Sequence, residues 1–445
     1  MPNLNPLAKR KAIVLSRSEI SRDPRVQRVC MTLQGMGYKT FLICTQVESK
    51  QTDDLFQGTN VHRIPIKKDF STLSDSSLDA YYSVSLEIAH EIERCDESAL
   101  SDYCDRLISF YGHRVKRFVL RMLDEAWPSD KKRRLQDRFD IRAILAQNLA
   151  MVEKCRAASA DLIYVNDLDC LVAGCILQSK LDAPLLFDAH EIYPEQLPNY
   201  LRSELWHSFF SKLERYLIPR ADGLVTVSDS IAAYYGRTID TVDFVTVRNC
   251  PERENVVLTR SSGSTPTVLY HGLFAPDRGL EQVIQAASKV NAEFVFRGVG
   301  THERVLKKLV NRMGLSSQVT FAPPVAVSQL IDRAAECDIG LCPFIPVCKN
   351  TEYVLPNKFF EYLCAGLCVV SSDLTELTKL TRRYEVGDVY QAENADALAT
   401  VLNDIIGDKK RLKNYQANAL EATRIDLNWE IEEEKLCGVI AEITG

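Results

Sequence analysis

No stretch of the sequence is apolar for long enough to cross a bilayer: the run from Ala12 to Leu15 after Lys9, Arg10 and Lys11 is too short for a secretory core or a span. The expectation is a cytoplasmic chain, with attachment to the inner face of the cell membrane as the alternative to free solution. A surplus of positive charge is also missing. With 54 Lys and Arg against 60 Asp and Glu, the formal charge is -6, which argues against a dedicated nucleic-acid binder. The 14 cysteines include no CxxC pair and no spacing typical of metal ligands, so no metal is expected and most should be buried thiols. No internal repeat of solenoid length is present.

What is present is a globular balance, 46% hydrophobic and 26% charged, over 445 residues, more than one core usually organises. Short β-branched runs alternate with helical patterns, the signature of parallel sheets built from βα units. Strands are expected at 12–15, 40–44, 162–165, 185–188, 224–227 and 245–247. A second set falls at 268–270, 293–296, 319–321, 339–341 and 368–370. The small-polar stretch from Arg260 to Pro266 separates the sets. The expected organisation is an α/β chain of two Rossmann-like domains, residues 1–260 and 261–427, with a helix over 428–445 that packs back on the first.

Residues 73–159 interrupt this rhythm with helical pattern and read as an inserted helical subdomain. Within it Val115, Phe118, Val119 and Met122 share one helix face, and Arg114, Arg117 and Arg121 another. From Ser101 to Arg142 there are 11 Lys or Arg against 7 Asp or Glu. Two readings stand: an ordinary helix with a solvated face, or attachment of the basic helix near 114–123 to an anionic membrane surface or acceptor.

Several segments carry chemistry. Pro356, Asn357, Lys358, Glu361 and Gly366 precede the apolar run 368–370, as a loop, a helix and a buried strand would. A carboxylate near the start of that helix can accept hydrogen bonds from ribose hydroxyls, while free N–H groups there attract phosphate. Tyr270, His271, Gly272 and Leu273 lead to Arg278 and Gly279, a cation at a strand-to-helix turn able to neutralise charge growing on a leaving diphosphate. Arg297, Gly298 and Gly300 end another strand in a glycine turn, where backbone can approach a nucleotide. Asp188, Ala189, His190 and Glu191 follow an apolar strand, and polar residues at such strand ends face a ligand crevice. Arg22 and Arg25 lie in the first βα turn. Asp167 and Asp169 form a D-x-D that reads as strand-end aspartates rather than a metal site.

In this order the segments resemble the retaining glycosyltransferases of family 4, which implies the GT-B architecture of two facing Rossmann-like domains. The resemblance places Glu361 as the second glutamate of an E-x7-E motif, holding the donor ribose, with Tyr353 at the place of the first. Arg278 falls at the family's lysine and Leu273 at its arginine. It implies catalytic roles for His190, Arg278 and Lys358, and donor binding by Glu361, Asn357, Arg297, Gly298, Gly272 and Tyr353. Arg22, Arg25 and Glu191 fall to the acceptor or phosphate side. The implied reaction moves a sugar, with retention and without metal or other cofactor, from a nucleotide sugar to a glycan or lipid-linked acceptor, in bacterial surface polysaccharide or glycolipid synthesis. A nucleotide-sugar isomerase and a non-catalytic partner of the same architecture are the rival readings.

Overall fold

The computed structural model describes residues 10–18, 20, 23–46, 53–65, 129–155, 157–197, 201–253 and 265–445. These divide into two compact units, one within Met1–Val225, Tyr235–Phe244 and Val439–Gly445, the other within Thr226–Tyr234 and Val245–Gly438. The residues just before the small-polar stretch thus go with the second unit, and the last helix is shared.

In the first unit the elements are β1 (Lys11–Leu15), α1 (Pro24–Gly35), β2 (Lys39–Gln46), β3 (Asp53–Phe56), β4 (Thr59–Pro65), α2 (Ser129–Lys154), β5 (Leu162–Asn166), α3 (Leu168–Leu181), β6 (Leu185–Ala189), α4 (Glu204–Leu217) and β7 (Gly223–Thr226). Their order across the sheet is β3-β4-β2-β1-β5-β6-β7. Strand β1 pairs in parallel with β2 on one side and β5 on the other. After Lys11 it is an apolar run, Ala12–Leu15, and all four residues are buried, as in a sheet covered on both faces. Helix α1 begins where Asp23 accepts hydrogen bonds from the Arg25 and Val26 amides, with Pro24 in its first turn. Strands β3 and β4, an antiparallel pair, were not expected from the sequence. Of the inserted helical region only α2 and the residues flanking it are described; Arg22 and the basic helix near 114–123 lie outside the described residues.

The second unit takes in α5 (Asp229–Thr238) only in part, then β8 (Val245–Thr246) and a six-stranded sheet. Along the chain run β9 (Thr267–Leu273), α6 (Leu280–Ala287), β10 (Glu293–Val299), α7 (Glu303–Met313), β11 (Val319–Ala322), α8 (Leu330–Ala334), β12 (Ile339–Cys342), α9 (Lys349–Glu352), α10 (Asn357–Cys364), β13 (Cys368–Ser372), α11 (Thr375–Arg383), β14 (Gly387–Tyr390), α12 (Ala395–Gly407), α13 (Lys409–Ile425) and α14 (Trp429–Thr444). The strand order is β11-β10-β9-β12-β13-β14, all in parallel. Counted from β9 this is the 3-2-1-4-5-6 order of a doubly wound nucleotide-binding fold.

Successive strand residues feed two cores. Val268, Tyr270, Cys368 and Val370 join one buried cluster with Phe294 and Phe296, while Leu269 and Val369 join another with Phe359 and Phe360. The period of two along strands that are apolar throughout is what a sheet covered on both faces requires. Among the described residues no helix is long and apolar enough to cross a membrane.

Candidate functional site

In a doubly wound sheet the ligand crevice opens at the carboxyl ends of the strands where the order reverses. In the second unit that point lies between β9 and β12. The turn after β9 carries Arg278, and Gly279 follows it at φ 62°, seated so closely that a Cβ there would stand 2.1 Å from the Pro343 carbonyl oxygen, just beyond β12. The Ile345 amide donates to the Asp277 carbonyl at 3.1 Å, which binds the two loops together. Arg278 is therefore fixed at the switch point. Its guanidinium pairs with Asp277 at 3.1 Å and lies 4.7 Å from the centre of the Phe344 ring.

Helix α10 brings a second cation to the same ring. Pro356 stands at its start, where no side chain caps the helix, and the first turn delivers Lys358, only 9% exposed. The Lys358 Nζ lies 3.9 Å from the centre of the Tyr270 ring and 5.1 Å from that of Phe344. No carboxylate among the described residues forms an ion pair with it. Burial, with Arg278 adding to it, pulls its pKa down to about 7. Gly272, at φ 130°, leaves the space that Nζ uses, since a Cβ there would lie 3.0 Å from it.

One turn further along α10, Glu361 meets a residue the sequence reading passed over. His271, 2% exposed on β9, holds Glu361 Oε2 at 2.7 Å through its Nε2. Asn357 accepts a hydrogen bond of 2.6 Å from the Asn249 amide. Thus Gly272, Arg278, Lys358 and Glu361 converge, and Asn357 opens the same helix.

Arg297 and Gly298 each have a structural role in this unit. Arg297 does not stand as a free cation: it is 8% exposed and donates to the Arg333 carbonyl at 3.1 Å, tying β10 to α8. Gly298, at φ 153°, is glycine because of its neighbouring strand. A Cβ there would lie 1.9 Å from the Gly272 carbonyl oxygen, so chain-to-chain approach already accounts for it. Tyr353 ends α9, with the Lys349 ammonium 5.2 Å from its ring centre.

In the first unit the order reverses between β1 and β5, and the polar residues again cluster at strand ends. Arg17, just after β1, pairs with Asp169 at 2.9 Å. Asp167, after β5, takes φ 65° and accepts the His190 amide at 2.9 Å. At the end of β6, Asp188 is wholly buried and accepts from Arg25 Nε at 2.9 Å, Arg25 Nη2 at 3.2 Å, His190 Nε2 at 3.0 Å and the Tyr164 hydroxyl. Burial opposes its charge, but Arg25 and His190 outweigh it and hold the carboxyl well below the usual range.

His190 feels the converse. Burial works against a charged ring, yet Asp188 and then Asp167 push its pKa up to about 9. With Nε2 committed to Asp188, the Nδ1 edge, 3.7 Å from Asp167, is the one that remains. These two carboxylates favour the protonated, hydrogen-bond-donating form of the ring.

The expectation that Arg25 contacts phosphate or acceptor is corrected: its side chain is 1% exposed and its guanidinium is spent on the buried Asp188. Glu191 accepts from the Gln196 side chain, and its carbonyl accepts from the Tyr235 hydroxyl at 3.2 Å.

Comparison with known proteins matches this layout. Residues 254–422 fit the family model "Glycosyl transferases group 1", and residues 106–249 fit "Glycosyltransferase Family 4". The chain belongs to glycosyltransferase family 4. It is 22% identical over 184 residues to GDP-mannose-dependent alpha-(1-6)-phosphatidylinositol monomannoside mannosyltransferase of Mycobacterium tuberculosis, a match covering 39% of this chain and 47% of that protein. The family 4 chain thus spans about half the length of the curated relatives it matches.

Among solved structures, sucrose-phosphate synthase of Thermosynechococcus elongatus superposes with TM-score 0.68 at 14% identity, over 98% of this chain and 99% of that one. HepE of Anabaena, solved with UDP, does so with TM-score 0.63 at 14% identity, over 97% and 100%. These likenesses show the fold: this family 4 chain has the GT-B architecture built from two Rossmann-like domains.

Proposed function

We propose that this chain transfers a sugar from a nucleoside-diphosphate sugar to an acceptor hydroxyl. The observation that carries the reading is the pair of cations, Arg278 and the buried Lys358, that share the Phe344 ring at the sheet's switch point with Glu361 one helical turn away. Two positive groups, of which Arg278 is paired with Asp277 and Lys358 is in no ion pair among the described residues, suit a diphosphate, and the neighbouring Glu361 suits the ribose attached to it. Lys358 supplies the charge that Leu273, standing at the family's arginine place, does not. The names of the relatives agree in kind: one is a GDP-mannose-dependent transferase, and HepE of Anabaena was also solved with UDP-glucose.

In this reading the bond between the anomeric carbon and the diphosphate oxygen breaks, Arg278 and Lys358 balance the charge left behind, and the acceptor oxygen attacks from the same face. The acceptor's proton passes to the departing diphosphate, so configuration is retained without an enzymic nucleophile. Cations and the uncapped start of α10 do the electrostatic work that a metal ion does elsewhere. The acceptor is a glycan or lipid-linked glycan, and the place of action is the cytoplasm or the inner face of the cell membrane.

The test is a panel of UDP-, GDP- and ADP-sugars with purified protein. Transfer predicts release of nucleoside diphosphate only when an acceptor is present, and E361A and R278A should each weaken donor binding by about tenfold or more. Epimerisation of the donor without acceptor would move the assignment to an isomerase. Inertness toward every donor would leave a binding partner instead.

A further inference from the structure

His271 is costly for a residue inside a core strand. It is 2% exposed, its Nδ1 is buried without a hydrogen-bond partner, and an apolar side chain would fill the same place without that penalty. Its surroundings hold the ring in one orientation. The His271 amide donates to the Tyr362 hydroxyl at 3.0 Å, and the two rings pack with centroids 4.6 Å apart. Tyr362 is itself pinned against Gly340, where a Cβ would stand 2.4 Å from the ring.

What the imidazole gains is Glu361. The Nε2–Oε2 distance of 2.7 Å joins a donor on β9 to a carboxylate on α10, 90 residues apart in sequence. An ionised carboxylate only accepts, so Nε2 carries the proton. With Oε2 held, Glu361 loses rotamer freedom before any ligand arrives, while its side chain stays 14% exposed. Preorganisation of this kind raises affinity by removing an ordering cost from the binding step.

We infer that His271 is a positioning residue that locks Glu361 for recognition of the donor's ribose, so that discrimination between ribose and deoxyribose depends on the His271–Glu361 hydrogen bond. The inference rests on the proposed role of Glu361 in gripping the donor.

The decisive measurement is a ratio of dissociation constants, which is insensitive to the fraction of protein that is folded. UDP, GDP and ADP are each titrated calorimetrically beside their 2′,3′-dideoxy analogues, and the nucleotide that binds is carried forward. In the unaltered protein the ribose form should bind more tightly by roughly 10- to 100-fold, the worth of hydrogen bonds to a charged group. E361A should abolish that preference. H271L, with H271A as the alternative if it does not accumulate, should reduce it by about tenfold, while H271Q, which keeps a side-chain N–H donor, should hold it within about threefold.

If E361A keeps the ribose preference, or no nucleotide binds, the role of Glu361 fails and the inference with it. If E361A loses the preference but H271L retains it, only the positioning role is overturned. Equal losses in H271Q and H271L would also overturn it, because shape and not the donated hydrogen bond would then be what matters.

Discussion

Lys358 shows how one buried charge converts position into pH dependence. Burial draws its pKa from 10.5 down to about 7, so above neutrality the free protein holds a neutral amine beside Arg278. A diphosphate placed there favours the ammonium, and binding must therefore take up a proton. At about pH 8, titrations in buffers of differing ionisation enthalpy should show uptake approaching one proton per nucleoside diphosphate, and affinity should weaken by up to about tenfold per unit above pH 7. K358M should bind more weakly and show neither effect. Uptake that persists in K358M would assign the titration to another group. The sign for folding is separate: between about 7 and 10.5 the unfolded chain binds more protons at this position, so the unaltered protein gains stability relative to K358M as pH rises through that window. The sequence singles out Lys358 by its place after Pro356 and Asn357, but not its burial or the pH dependence that follows from it. Burial, not residue type, makes it distinctive, and the same holds for Asp188 and Arg25, which meet across 163 residues of chain. Glu361 was legible because its position is local, one turn into a helix that begins after a proline.

Elements were readable where both faces of a strand are covered. The runs at β1, β5, β6, β9, β12 and β13 are mostly apolar because the sheets are sandwiched, and their boundaries move by only a few residues. Strands β3, β4 and β14 escaped notice for the opposite reason. The Asp53–Phe56 and Thr59–Pro65 segments lie at the margin of their sheet and mix polar with apolar residues. Gly387–Tyr390 is a four-residue edge strand opening with a glycine, needed because a Cβ there would stand 1.7 Å from the Val369 carbonyl oxygen. Helix α4 carries a different device. Glu214 on its inner face is 4% exposed and accepts from the Tyr235 hydroxyl at 2.7 Å; burial, with that hydrogen bond opposing it, raises its pKa to about 8. A raised carboxyl contributes stability that is full below its unfolded pKa of 4.5 and is lost as pH climbs through about 8. E214Q keeps the shape and an acceptor without the proton, so chemical denaturation should show it gaining on the unaltered protein by roughly 2–4 kcal/mol between about pH 5 and pH 8. A difference that does not change with pH would place the charge elsewhere.

At the scale of the whole molecule the formal charge of -6 repels an anionic sugar nucleotide at long range, so the attraction must be local. Two sources of positive charge compete for that role. One is the basic stretch over 101–142, visible in the sequence as 11 Lys or Arg against 7 Asp or Glu. The other is the switch-point pair, whose two residues stand out in the sequence but whose meeting at one ring only the fold shows, with Lys358 9% exposed and the Arg278 side chain 27%. Salt separates them. At about 0.15 M the screening length is about 8 Å, and it shortens to about 3 Å near 1 M, so charges that act through solvent are weakened while those buried against a ligand are not. Nucleoside diphosphate affinity should therefore change by less than about threefold between roughly 0.05 M and 0.5 M salt. Anionic vesicles, if the basic stretch meets them, should lose most of their binding over the same range. The two titrations on one preparation assign each function to its own part of the chain. A nucleotide affinity that collapses with salt alongside vesicle binding would mean that the donor is drawn by the basic stretch and that the buried pair plays a structural part.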